Sequence, residues 1–429
     1  MEHFDVIIIG AGPAGSVAGY LLAKAGLNVI LIERGQAPGC KNVSGGLLYT
    51  KPVKKLLAGF SGDMPVERAI TSHKVVMLGE GASVSLDYHS GADSPSEYNA
   101  YSVLRAKFDP WLAQQAEAAG AALITGVTVD ELLVEDGRVT GIKAGEDALS
   151  ADVVVIAEGT RSMLLKQAGL RGDYNARDVS LGIKEVIALQ ENTLQERFQC
   201  GPGTGAAYTF AGHTAGVEGG GFLYTNSASI SLGVVVKIDS LAKSGLQPHQ
   251  VLDAFKAHPL VRRLVEGGEV VEYSAQTVHR GGFHLPCQLY GDGYVTTGSA
   301  ARLTLNNIFT LRGMDFAMLS AEAAAKAILS AREKGSFDAA TLSTYETHLQ
   351  ETAIYQDWKT FKDVYPLLEN ERLFETYPNL ACSVLESLFS PTDQPGKKII
   401  GALQQEMQGK VSPLTLVKDG MQIGRGMVL

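Results

Sequence analysis

Phe4-Asp5-Val6-Ile7-Ile8-Ile9-Gly10-Ala11-Gly12-Pro13-Ala14-Gly15 is the stretch that decides the fold. A β-branched apolar run enters a glycine turn, a helical pattern follows over 16–25, and a second apolar strand over 28–32 ends at Glu33. This is the dinucleotide-binding βαβ fingerprint. Gly10 permits the tight turn, Gly12 lets backbone N–H groups approach a pyrophosphate, and Gly15 lets the helix pack against the strand. The helix N-terminus adds partial positive charge for phosphate. Glu33 suits a ribose 2′-hydroxyl and argues against a 2′-phosphate. A lone glycine signature is weak, but here strand, helix, second strand and acid agree, so the first 35 or so residues are read as an adenine-dinucleotide site.

The chain's 429 residues suffice for two or three packed units, and a 45% hydrophobic share suits a globular fold. No apolar stretch approaches the ~18 residues of a bilayer-crossing helix. The first five residues run straight into a strand pattern, which predicts no signal peptide. A net charge of −9 gives no electrostatic footprint for nucleic acid and argues against wholesale adsorption to anionic lipid. Cys40, Cys200, Cys287 and Cys382 are scattered without a C-x-x-C pair, which predicts a reducing compartment and no internally held metal or cluster. The expected address is cytoplasmic, at most peripheral to the inner face of the cell membrane.

After Glu33-Arg34, residues 35–46 are turn formers closed by Gly45-Gly46, a loop able to lie flat against a planar group. Lys41 there is a possible phosphate or ring partner. Alternating runs at 74–78 and 83–86 read as strands of a second sheet. Asp109 with Pro110 marks a helix start, running to about 119. Arg105, just ahead, is placed to reach a phosphate with its planar fork. A strand over 121–129, a hairpin at Asp136-Gly137 and a buried strand over 152–157 lead to a sharp turn at Glu158-Gly159.

Residues 178–290 read as short, glycine-separated strands with one helical stretch over 248–257, a mostly antiparallel second domain. His279 and His284 are read as structural rather than catalytic. A strand from 291 then ends in a small-residue turn at Gly298-Ser299, and a strong helix runs over 314–334. Its N-terminus, with N–H groups of Gly313, Met314 and Asp315, suits negative charge on a ligand. From 338 the chain is helical and aromatic, becoming a Pro/Gly-punctuated tail from Ser390.

The G-A-G-P-A-G motif with Glu33-Arg34, the segment 105–120, Ala157-Glu158-Gly159 and the Gly298 turn before a Gly-Met helix resemble the glutathione-reductase-like FAD proteins. Residues 41–46, 182–186, 219–226 and 305–315 narrow the resemblance to the electron transfer flavoprotein–quinone oxidoreductase family, FixC type, over nearly the whole chain. The resemblance implies an α/β fold: a Rossmann-like FAD-binding domain, a mostly antiparallel β-sheet second domain and a helical C-terminal region. The expected division is FAD-binding domain at 1–70, 101–177 and 291–335, second-domain strands at 71–100 and 178–290, and a helical region and tail at 336–429.

By the same resemblance FAD is expected at Gly10, Gly12, Ala14 and Gly15 (pyrophosphate), Glu33 (adenosine ribose), Arg105 (phosphates) and Val127 (adenine side), with Arg34 also at the cofactor. Asn42, Gly45, Gly46, Gly313 and Met314 are expected to line the ring, with Glu158, Gly159 and Ser299 also at the cofactor. Two departures stand out. Ser299 occupies a position where relatives carry an Asp, and the tail over 411–429 lacks the cysteines of the cluster-bearing members. In the Fix arrangement a separate ferredoxin-like iron–sulfur protein carries that cluster.

The function implied is FAD-dependent electron transfer from an electron transfer flavoprotein towards quinone, through that ferredoxin-like partner. No catalytic side chain is assigned, and a proton role for Lys184 or Tyr224 stays open. The alternatives are a geranylgeranyl-reductase-like or hydroxylase-like flavoenzyme acting on an apolar small molecule, and a non-enzymatic FAD-binding subunit.

Overall fold

A computed structural model describes residues 1–40, 45–92, 94–173, 175–283, 289–393 and 395–427. The expected roles of Lys41, Asn42 and His284 fall outside them, as does Cys287.

The apolar run at the start builds the centre of a parallel sheet. β1 (Glu2–Ile9) pairs in parallel with β2 (Val29–Glu33) on one side and β10 (Asp147–Ile156) on the other, so Ile8 lies opposite Leu31 and Val155. β7 (Ala122–Thr125) continues the sheet beyond β2, and β17 (Tyr294–Thr296) beyond β10. The hairpin β8 (Glu131–Glu135)–β9 (Arg138–Ala144) and the edge strand β16 (Tyr290–Gly291) complete eight strands among the described residues.

Both faces of this sheet are covered, which is why its strands read as continuous apolar runs. Val6 and Ile8 pack towards α1 (Pro13–Lys24), α2 (Arg105–Ala118) and α6 (Met314–Lys334). Ile7 and Ile9 pack into a second cluster with Leu132, Val139 and Ile142 of the hairpin. All of Val6, Ile7 and Ile8 are fully buried, each worth about 1.5–3 kcal/mol relative to exposure. The alanines at 321, 323–325 and 327 keep α6 slim where it is buried in this core.

The second sheet has nine strands among the described residues, in the order β15 (Glu269–His279), β11 (Val179–Ala188), β14 (Ser229–Lys237), β13 (Gly219–Thr225), β12 (Thr204–Ala211), β4 (Arg68–Leu78), β6 (Ala100–Val103) and β3 (Gly46–Tyr49). The ninth, β5 (Ser83–His89), pairs with β4. Every pairing is antiparallel except β12 with β4. One face, with Ile183, Leu223, Leu232 and Val234, packs in one core with α3 (Glu191–Phe198), α4 (Pro248–Ala257) and α5 (Pro259–Val265). The opposite face carries Leu47, Tyr49, Ile70, Ala207, Phe222 and Tyr224.

Four expectations need correction. The segment 1–70 is not wholly nucleotide domain: β3 leaves it for the second sheet, where Leu47 and Tyr49 gain apolar neighbours, and the boundaries at 70 and 100 fall inside β4 and at the start of β6. The helix expected from Asp109 begins at Arg105, so Pro110 lies inside it. Proline there costs one helical hydrogen bond, which burial of Phe108 and Leu112 offsets. The strand expected over 121–129 stops at Thr125, where Gly126 takes a positive φ of 76°. The single helix expected in the middle region is joined by α3, α5 and a further short helix at Ile238–Ser244.

The tail is also more ordered than its Pro and Gly content implied. α7 (Thr376–Phe389), α8 (Ile399–Glu406) and α9 (Pro413–Met427) pack together, with Arg372 binding Asp419 at 2.6 and 2.9 Å. Among the described residues no helix is long and apolar enough to cross a membrane.

Candidate functional site

Glycines at the end of β1 serve two different purposes. A Cβ on Gly10 (φ 99°) would lie 2.6 Å from the Ala157 oxygen, and one on Gly15 would overlap the Gly10 carbonyl, so both are demanded by close backbone approach. Around Gly12 a Cβ would meet only Nη2 of Arg105, at 3.6 Å, and around Gly159 nothing within 4 Å. Those two backbones border open space. No side chain caps the N-terminus of α1 at Gly12, so its first-turn N–H groups and helix dipole face that space.

Glu33 closes the loop. Its Oε2 accepts from Ala11 N (3.0 Å) and its Oε1 from Gly35 N (2.7 Å). A carboxylate has further lone pairs, so capacity for a ribose hydroxyl remains. Val127 N donates to Glu33 O at 3.2 Å, which places Val127 beside the same strand end. Arg34 is exposed. Ala14 is buried, and a Cβ on Gly298 would lie 3.1 Å from its Cβ and 3.2 Å from that of Ala317, joining α1, the turn after β17 and α6. Ser299 follows at that turn, half-buried. Glu158 accepts from Leu164 N at 3.2 Å, and burial raises its pKa.

Arg105 is not the free fork expected ahead of a helix. It sits in the first turn of α2 and is gripped by Asp109 one turn on, Nε to Oδ1 and Nη2 to Oδ2, both 2.6 Å. Asp109 is fully buried. The pairing uses two of the guanidinium's five donors and fixes its plane beside Gly12, leaving the outer edge for an anion. Asp109 is a site residue that sequence reading missed; the i, i+4 spacing of opposite charges was its signal.

Gly12, Arg105 and, past Leu104, the Gly45-Gly46 turn follow one another along a slot, and at its far end that turn, β11, β14 and the start of α6 meet. Gly45 has φ 76° and presses on Ser231 of β14, where any Cβ would overlap the serine side chain. Its carbonyl accepts from Nζ of Lys184, on β11, at 2.7 Å. Ser231 is held by Asn226 Nδ2 at 3.1 Å, and Asn226 Oδ1 is buried without a partner. A Cβ on Gly46 would lie 3.3 Å from Met314 Cε, so the Gly45-Gly46 turn meets the start of α6. No side chain caps that N-terminus at Gly313. The buried hydroxyls of Thr297, Thr304 and Tyr49 also lack protein partners.

Beside Met314, Asp315 is buried, and burial raises its pKa against the opposing pull of Arg312, which bonds it at 2.7 Å. Arg312 also binds Asp357 and lies over the rings of Tyr49 (5.8 Å) and Phe316 (5.3 Å). Burial, with Asp315, keeps Tyr49 protonated, and burial does the same for Tyr224. His279 is pushed down to about 4 by burial and by Arg302 and Arg171, which keeps it neutral. Among the described residues no His/Cys/Asp/Glu group suits a metal ion, and Cys40, Cys200 and Cys382 are free.

An elongated acceptor-rich ligand suits this arrangement: an uncapped helix N-terminus at each end, with the Arg105 edge between. A flavin dinucleotide has that form, and it supplies reversible two-electron chemistry when bound. The comparisons agree. The family described as FAD binding domain matches residues 3–196, ETF-QO, ubiquinone-binding matches 179–278, and the ETF-QO/FixC family C-terminal domain matches 364–428. The protein is an FAD-dependent electron-transfer oxidoreductase.

Among relatives, the probable electron transfer flavoprotein-quinone oxidoreductase YdiS of Escherichia coli (strain K12) is 40% identical over 422 residues, covering 98% of each chain. Protein FixC of the same strain is 41% identical over the same coverage. The chain belongs to the FixC-type electron transfer flavoprotein–quinone oxidoreductase family. A geranylgeranyl bacteriochlorophyll reductase-like protein from Thermoplasma acidophilum shares the fold at a TM-score of 0.73 and 21% identity, covering 99% of this chain and 100% of that one. A flavin-dependent brominase does so at 0.67 and 19%, covering 99% of each.

Proposed function

We propose that the chain takes electrons from an electron transfer flavoprotein and passes them towards quinone through FAD, handing them on by way of a ferredoxin-like iron–sulfur protein. The observation that carries this reading is the convergence of the Gly10–Gly15 loop, Arg105, the Gly45-Gly46 turn and the α6 N-terminus on one slot. In this reading the pyrophosphate lies on Gly10, Gly12, Ala14 and Gly15 with Arg105, and the adenosine half on Glu33, Arg34 and Val127. The ring lies against Gly45, Gly46, Gly313 and Met314, with Glu158, Gly159 and Ser299 flanking. Outer-sphere transfer asks the protein to hold and tune the ring rather than to supply an acid or base. An iron–sulfur partner is invoked because residues 411–429 contain no cysteine.

Peripheral membrane contact belongs to the same proposal. Leu414, Val417 and Met421 lie exposed on one face of α9, with Ile399 and Ile400 exposed on α8 and Lys397, Lys398 and Lys418 also exposed in this region. An apolar stripe with lysines suits an anionic lipid surface.

The test is anaerobic mixing of the purified flavoprotein with a reduced electron transfer flavoprotein, followed by its visible absorption. Rapid bleaching is expected. No electron uptake from any such donor, together with rapid reoxidation of the reduced protein by a prenyl substrate, would replace this function with substrate reduction.

A further inference from the structure

Lys184 stands at mid-strand in β11, on the face turned towards the ring end of the slot, and is 3% exposed. Its register partners are Gly233 of β14 and Ser274 of β15, neither of them charged. The charged groups facing it are Arg105 of α2 and Glu272 of β15. Arg105 is committed to Asp109, and Glu272 stands opposite Val186, two residues along β11. From the neighbouring strands the same face presents Ser231 (β14), Tyr224 (β13) and Tyr49 (β3), the two phenols held protonated. The acceptor for Nζ is the Gly45 carbonyl.

A buried ammonium whose acceptor is a neutral carbonyl is unfavourable. Burial first, and the Arg105 cation second, hold Lys184 well below the usual lysine range. A neutral amine still donates to Gly45 and keeps its lone pair free. Negative charge placed beside Gly45-Gly46 reverses the balance and favours the ammonium.

We propose that Lys184 is a proton acceptor that couples reduction of a flavin held against Gly45-Gly46 to uptake of a proton at Nζ. The proposal rests on the flavin site described under the proposed function. Two electrons from an external reductant enter the ring with one proton, and a second proton from solvent binds the Nζ lone pair. No protein bond breaks, and reoxidation returns both protons to solvent.

The test is a spectroelectrochemical titration of the full flavin-loaded chain at a series of pH values, beside Lys184→Gln. Glutamine keeps a donor for Gly45 but does not titrate. The wild type is expected to take up one more proton per two electrons than the variant, at equal flavin content. Identical pH slopes in two flavin-loaded proteins overturn the role of Lys184 and leave the site reading intact. A chain that neither purifies with flavin nor binds added FAD overturns both. Lys184→Arg, permanently charged, is the second variant should the glutamine form not fold: it is expected to show the lower proton count with a raised potential, and a wild-type proton count in it overturns the proposal.

Discussion

The two ends of the slot are built in opposite ways. The Gly10–Gly15 end is local: Gly10, Gly12, Gly15 and Glu33 lie within one βαβ unit, and their geometry follows from backbone packing against β1 and β10. The Gly45 end is assembled from Gly45-Gly46, Lys184 and Ser231 of the second sheet, and the start of α6, groups spread along the chain from residue 45 to residue 314. A local end tolerates little change in its own backbone. An assembled end is tuned by side chains elsewhere, so members of one fold can keep the nucleotide grip and alter the chemistry.

The largest effect expected from breaking this contrast is at Gly15. Gly15→Ala places a Cβ inside the Gly10 carbonyl, and a loss on the order of 5 kcal/mol is expected, read as little folded protein and no flavin. Recovery of native flavin content and melting temperature in that variant would mean the close approach is dispensable. Arg105→Met comes next: it strands the fully buried Asp109 carboxylate and is expected to cost about 3 kcal/mol in urea unfolding, with weaker binding of ADP and FAD alike. Arg105→Met with Asp109→Leu recovers stability but not affinity.

Gly45→Ala sharpens the contrast. Its Cβ collides with Ser231 at a cost of about 2 kcal/mol, so calorimetry should show FAD affinity reduced while ADP affinity is kept. Adding Ser231→Gly should restore part of it, and equal loss for both ligands would mean that the ends are not independent. The smallest effect lies outside the slot, at the Arg372–Asp419 pair. Its hydrogen bond from Arg372, and then that from Tyr377, hold Asp419 below the usual carboxylate range despite burial. With Arg372 40% exposed, Asp419→Asn is expected to cost only about 0.5–1 kcal/mol. That contribution is present above the unfolded value of about 3.9 and fades as pH falls through the lower folded value. The acid limb of α9 unfolding, followed by hydrogen exchange, should flatten in the variant.

What was legible in the sequence follows the same division. The glycine loop, Glu33 and the helix over 314–334 were readable because their signals are local: turn residues, a strand–helix–strand order and an alanine-rich helical run. Asp109-Pro110 misled because it has the form of a cap followed by a first-turn proline, whereas the helix starts at Arg105, where burial of Phe108 and the ion pair with Asp109 outweigh the proline. Gly46–Tyr49 is too short to announce a strand, and its place in the second sheet depends on Phe222 and Tyr224, far along the chain. Nothing near Lys184 in sequence points to Gly45, 139 residues earlier. The tail's glycines read as breaks, yet a Cβ on Gly426 would lie only 3.3 Å from the Asp363 oxygen, so glycine lets α9 approach closely there.

β17 and α6 are the last parts of the nucleotide sheet to be made, and both sides of the slot lean on them. A chain emerging from the ribosome therefore carries its nucleotide fingerprint for some 300 residues before the pocket has a far wall. Pairing strands so distant in sequence is slow, and the complete pocket waits for the last third of the chain. A message truncated before Tyr294 would yield a glycine loop with nothing to close over its guest.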